Sequence, residues 1–129
     1  MSDSIKVDRP WGNYRVIDNG SGFYAKSSTL YKIKIITIEP DQSISLQYHL
    51  HRSEIWTVLH GSGRAKIGGE KTILLEGDTI SVPVGVTHKL TNIGKVRLVV
   101  LETQRGSYCE EDDIVRLEEK KELDNFVEN

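Results

Sequence analysis

Leu46-Gln47-Tyr48-His49-Leu50-His51-Arg52-Ser53-Glu54-Ile55-Trp56 decides the fold, because its side chains alternate with the period of a strand until the pattern breaks near its middle. Residues two apart share a strand face, so Gln47, His49 and His51 project from one side of 45–51, and Leu46, Tyr48 and Leu50 from the other. Glu54 has the opposite parity. It joins those donors if the chain turns or bulges at Arg52-Ser53 and a new strand comes alongside. A second stretch, Gly77-x5-Pro83-x-Gly85-x2-His88-x3-Asn92, adds another donor: Pro83 and Gly85 bracket a tight turn, and His88 follows as the chain re-enters a strand towards Asn92.

The rest of the chain has the same grain. Short runs of strand character are separated by turn signals, as in an all-β sandwich or barrel. Tyr31, Ile33 and Ile35 alternate with Lys32 and Lys34, which predicts an inward apolar face and lysines in solvent. Gly68-Gly69 reads as a hairpin turn, and the continuous run Leu98-Val99-Val100-Leu101 suits a strand covered on both faces. Only 113–127 carries a pattern compatible with a helix, so the expectation is one domain over 1–129 with a short helical or irregular tail from about 113. The acidic residues at 110–113 read as a solvated turn.

Gln47, His49, Glu54 and His88 together are a candidate metal site: one amide oxygen, one carboxylate and two imidazoles make a donor set of intermediate hardness. It suits zinc first, with manganese, cobalt, nickel or iron(II) as alternatives. A single histidine on a strand is more often a hydrogen-bonded structural residue; two spacings of this kind in one short chain point to an ion.

Composition removes other classes. The 129 residues suit one core, and a net charge of −2 with interspersed signs gives no footprint for nucleic acid or an anionic membrane. The single cysteine cannot close an intramolecular disulfide, and no run approaches the roughly 20 apolar residues that span a bilayer. These features lead to the expectation of a cytoplasmic protein, and apolar sheet faces to that of a homodimer.

The paired spacings resemble the two cupin motifs, with Gln47 where many cupins have their first histidine. The string from Leu46 to Trp56 further resembles type II mannose-6-phosphate isomerases, usually the C-terminal half of bifunctional mannose-6-phosphate isomerase/mannose-1-phosphate guanylyltransferases. Similarity continues through Arg9-Pro10-Trp11-Gly12-Asn13-Tyr14, through Val82-Pro83-Val84-Gly85-Val86-Thr87-His88, and through Glu110-Glu111-Asp112-Asp113-Ile114-Val115-Arg116-Leu117-Glu118. Where the family typically has a Tyr-Gly-Arg segment, this chain has Glu119-Lys120-Lys121-Glu122-Leu123.

The resemblance implies a cupin-type double-stranded β-helix, or jelly-roll barrel, and interconversion of mannose 6-phosphate and fructose 6-phosphate, with a divalent ion bound to the oxygens on C1 and C2. Within that reading His51 is the expected proton shuttle, since strand parity puts it on the ligand face. Phosphate capture calls for a cation near the mouth. Arg116 is the first choice from its family-like Arg-Leu-Glu position, with Arg52, Arg64, Lys66 and Lys89 as further candidates. The rival readings are a non-catalytic sugar-phosphate-binding cupin and a metal-dependent dioxygenase. No glycine-rich phosphate loop stands in the chain, so guanylyl transfer is not expected of it.

Overall fold

The computed structural model describes residues 5–24 and 27–117, with the side chains of 21–24 and 27–29 left aside. In chain order its strands are β1 (Lys6–Arg9), β2 (Gly12–Tyr24), β3 (Ser27–Ile38), β4 (Gln47–His49), β5 (Arg52–His60), β6 (Gly63–Ile67), β7 (Glu70–Leu74), β8 (Thr79–Val82), β9 (His88–Asn92), β10 (Leu98–Gly106) and β11 (Ile114–Arg116), with a 3-10 turn at Glu111–Asp113. They form two antiparallel sheets, of order β1-β2-β3-β10-β5-β8 and β11-β4-β9-β6-β7. This is the cupin jelly roll. Ile36, Ile38, Trp56, Val58, Ala65, Leu90, Leu98 and Val100 fill the space between the sheets and exclude water from one end of the barrel.

Gly68-Gly69 does connect a tight hairpin, with Ile67 opposite Glu70. Three other expectations are corrected. On β3 the inward face is the reverse of the one expected: Lys34, Ile36 and Ile38 are buried, whereas Tyr31, Ile33 and Ile35 are only partly covered. On β10, Leu98 and Val100 are fully buried, but Val99 and Leu101 on the other face are half-buried. The tail begins as strand β11, paired with β4 at Ile114↔His49 and Arg116↔Gln47, because an unpaired β4 edge offers it ladder hydrogen bonds. Residues 118–129 lie outside the described set.

The break in the Leu46–Trp56 stretch comes earlier than Arg52-Ser53. The chain leaves β4 after His49, bends at Leu50 and His51, and enters β5 at Arg52, crossing from one sheet to the other. Asp113 holds the bend: its carboxylate accepts from Leu50 N (3.3 Å) and His51 N (3.1 Å) and meets His51 Nδ1 at 2.6 Å. Ser107 N donates to His51 O at 3.0 Å. Gly106 makes that approach feasible, since a Cβ there would lie 2.0 Å from His51 O.

Asn92 closes the second motif as a structural residue. Buried at 1% exposure, it donates to Ile38 O (2.8 Å) and Val96 O (2.9 Å) and accepts from Gly94 N (2.8 Å), tying β9 to the end of β3 and to the turn before β10. Asn92→Ala strands three backbone groups and should cost roughly 2–4 kcal/mol, read as a lower urea midpoint with unchanged slope.

Candidate metal centre

Strand registers assemble the site. Gln47 of β4 lies opposite His88 of β9, Glu54 of β5 opposite Gln104 of β10, and Trp56 opposite Glu102. Since β4 and β9 belong to one sheet and β5 and β10 to the other, the inward side chains meet across the barrel. His88 gets there from a turn in which Gly85, at φ +78°, donates its N–H to His49 O at 2.7 Å.

His49 Nε2 lies 2.9 Å from Glu54 Oε2 and 3.1 Å from His88 Nε2, which is itself 3.8 Å from Glu54 Oε1. All three side chains are buried, and their ligating atoms fall within 4.8 Å of one another. His88 Nδ1 sits 2.9 Å from Val86 O, so it carries the ring proton and turns the Nε2 lone pair inward. Burial depresses the His88 pKa, which keeps this ring neutral at pH 7. For Glu54, burial alone would raise the carboxyl, but the His49 hydrogen bond and the charges of His49, His88 and Arg52 bring it down to about 2. An anionic carboxylate facing two imidazole nitrogens fits a divalent ion. Among the described residues, buried His49 Nδ1 has no hydrogen-bond partner.

Gln47 is half-buried, lines the adjoining cavity and donates through its amide nitrogen to Ser45 O (3.2 Å) and Ser45 Oγ (3.4 Å). Its oxygen is the end a metal would use. The cavity is also lined by Arg9, Trp11, Tyr14, Lys34, Arg52, Glu54, His88, Glu102, Glu111 and Arg116. Of the cations expected at the mouth, Arg116 therefore faces it. Arg52 does too, but as an almost fully buried group whose Nε bonds Glu54 Oε2 (3.2 Å), whose Nη1 bonds Glu110 O (3.0 Å) and whose Nη2 is 3.5 Å from His49 Nε2. Arg64, Lys66 and Lys89 do not face the cavity. They alternate with buried Gly63, Ala65, His88 and Leu90 on β6 and β9, which puts them on the outer face of their sheet.

His51 is likewise not on the ligand face. The bend that delivers Glu54 ends β4 at His49, so the His51 side chain is 55% exposed and pairs with Asp113. The acidic residues are a clasp rather than a solvated turn. Glu110 meets Lys32 Nζ at 3.4 Å, Glu111 meets Lys34 Nζ at 2.9 Å, and Asp113 holds the bend.

Lys34, Glu102 and Gln104 were not legible as site residues. Glu102 accepts from Trp56 Nε1 at 3.0 Å and from Gln104 Nε2. Its burial and the neighbouring Glu54 charge push its pKa up to about 8 despite the pull of Lys34. The two carboxylates divide their tasks, Glu54 ionised and Glu102 protonated at pH 7.

This pair sets a pH dependence. Glu54, with its lowered pKa, contributes stability above pH 4.5 that is lost as pH falls towards about 2. Glu102 works in the opposite sense: between pH 4.5 and about 8 the unfolded chain holds fewer protons there than the folded one, so stability falls as pH rises. Thermal melts of the metal-free chain should show that decline, at most about 1.4 kcal/mol per pH unit, and Glu102→Gln should remove it.

Known proteins align with this architecture. Over 115 residues the chain is 44% identical to "Mannose-1-phosphate guanylyltransferase ManC" of Salmonella typhimurium, covering 89% of this chain and 22% of that protein. It is 45% identical over 114 residues to "Xanthan biosynthesis protein XanB" of Xanthomonas campestris, covering 88% and 23%. The chain thus spans under a quarter of the length of these relatives. Among solved structures, oxalate decarboxylase of Lactobacillus farciminis superposes with a TM-score of 0.72 over 89% of this chain and 34% of that one, at 17% identity, a likeness of fold alone. A putative sugar phosphate isomerase from Acidithiobacillus ferrooxidans matches with a TM-score of 0.54 and 26% identity over 58% of this chain and 49% of that one. The family model described as Mannose-6-phosphate isomerase C-terminal matches residues 1–119, and the chain belongs to that family.

Proposed function

We propose that the chain is a metal-dependent aldose–ketose isomerase interconverting mannose 6-phosphate and fructose 6-phosphate. The observation that carries this reading is the meeting of His49, Glu54 and His88 beside a cavity lined by Glu54 and His88 and also by Arg9, Lys34 and Arg116. The triad suits a divalent ion, and the cations suit a phosphoryl group. Family membership supports mannose as the sugar.

Gln47, His49, Glu54 and His88 would hold the ion, zinc by first expectation and manganese, cobalt, nickel or iron(II) otherwise. When bound, it supplies Lewis-acid polarisation of the oxygens on the two carbons between which the proton moves. The chain does the rest. Val86 O orients His88, Arg52 fixes the Glu54 carboxylate, and Trp56, with its ring 5.6 Å from that of His88, closes the inner wall against water. Arg116, beside Gln47 in the β4–β11 pairing, can take a phosphate oxygen pair through its planar fork.

A coupled assay of the metal-loaded chain should show turnover of mannose 6-phosphate above that of other aldose phosphates. Tight sugar phosphate binding without turnover at full metal occupancy would instead leave a non-catalytic binding domain, and oxygen consumption would indicate a dioxygenase. His88→Ala should lower metal affinity by about 100-fold or more in a competition titration with a chelating dye; retained stoichiometric metal at unchanged affinity would remove His88 from the ligand set.

A further inference from the structure

Two cations that line the cavity converge on one aromatic ring, and one carboxylate bridges them. Lys34 Nζ lies 4.3 Å from the centre of the Tyr14 ring, and the Arg9 guanidinium carbon 5.4 Å from it. Glu111 reaches both, with Oε2 2.9 Å from Lys34 Nζ and Oε1 3.9 Å from Arg9 Nη2. The three differ in how firmly they are held. Lys34 stands on β3, between two paired strands, with its side chain 5% exposed. Glu111 comes from a three-residue 3-10 turn and its side chain is 36% exposed.

A lysine buried in a cavity wall needs a counter-charge, because desolvating an ammonium costs several kcal/mol. Glu111 provides it, and the cluster still carries two positive charges against one negative. The carboxylate has two acceptor oxygens. A phosphoryl group offers three, with a charge approaching −2 near neutral pH, and so matches the pair of cations better than the resident side chain does.

We propose that Lys34 and Arg9 form the anion subsite of this cavity, and that Glu111 occupies it as an internal stand-in which the phosphoryl group of the substrate displaces. The proposal rests on the sugar phosphate reading above and names residues for it that the sequence did not single out. Arg116 flanks the same cavity, while Lys34 fixes the position of the anion. Entry of the ligand then requires the turn bearing Glu111 to release its ion pairs with Lys34 and Arg9, while the other members of the clasp, Glu110 with Lys32 and Asp113 with His51, stay in place.

The test is a calorimetric titration of inorganic phosphate into the full chain, with and without added metal, for wild type, Glu111→Gln, Lys34→Gln and the double variant. Removing the internal competitor should tighten phosphate binding about tenfold, and removing the lysine should weaken it by about the same factor or more. In the double variant the gain from Glu111→Gln should vanish. Unchanged or weaker binding in Glu111→Gln would overturn the proposal, as would Lys34→Gln binding phosphate like wild type. Should Lys34→Gln fail to fold, Glu111→Gln decides alone, since that side chain lies at the rim. Turnover of mannose 6-phosphate together with a phosphate affinity indifferent to Glu111 removes the subsite and leaves the isomerase. Tighter phosphate binding without turnover removes the isomerase and leaves the subsite.

Discussion

The crossing at Leu50 and His51 is the constraint on which the centre depends. His49 and Glu54 are five residues apart, and on one continuous strand they would point to opposite faces. They meet because the chain ends one strand after His49 and begins another at Arg52, in the facing sheet. Two backbone N–H groups at the bend would then lack partners, and Asp113, more than sixty residues away in sequence, accepts from both. Burial alone would raise the Asp113 carboxyl, but the bonds from His51 and Leu50 hold it below its ordinary range, so the clamp stays ionised. The same contact removes His51 from the interior.

Charge placement inside the barrel follows from limited compensation. Arg52 and Glu54 are both almost fully buried, and the arginine divides its donors between that carboxylate, Glu110 O and the edge of His49. Breaking such a pair from one side would leave an uncompensated buried charge worth roughly 3–5 kcal/mol. Lys34, the next cation along the cavity, is engaged by Glu111. Glu102, buried beside the Glu54 carboxylate and with Lys34 shared with Glu111, keeps its proton, while Trp56 and Gln104 donate to its oxygens. The order of charges is set by which carboxylate has an arginine beside it.

How much of this the sequence carried depends on the kind of information each residue needs. The jelly roll and the His49, Glu54 and His88 cluster were legible because they rest on local period and on turn residues, Pro83 and Gly85 above all. Alternation on β3 showed which residues share a face, but it could not give the sign. Assigning isoleucines to the inside is sound for an apolar core, whereas this stretch of β3 borders a polar cavity, and Lys34 takes the inward position there. Glu102 and Gln104 were hidden for the same reason: on β10 they follow an apolar run and look like a strand reaching solvent. His51 and the outward Arg64, Lys66 and Lys89 were misplaced because composition names a cation and only register says where it points.

The triad and the cavity's cations are built from different material. Every inner donor comes from a strand paired into a ladder, and Glu54 and His88 each have a cross-strand partner in register, so small displacements are resisted along the backbone. The charged residues around the cavity are drawn mainly from margins: Arg9 ends β1 and Arg116 ends β11, which are edge strands of the two sheets, and Glu111 rides a 3-10 turn. Such elements yield at lower cost than central strands. Lys34 is the exception, a cation fixed by a strand paired on both sides. A ligand in the cavity would thus meet a rigid triad and one rigid cation, with the remaining contacts free to adjust. That asymmetry would tie the proposed chemistry to the triad and leave selection among ligands to the marginal elements.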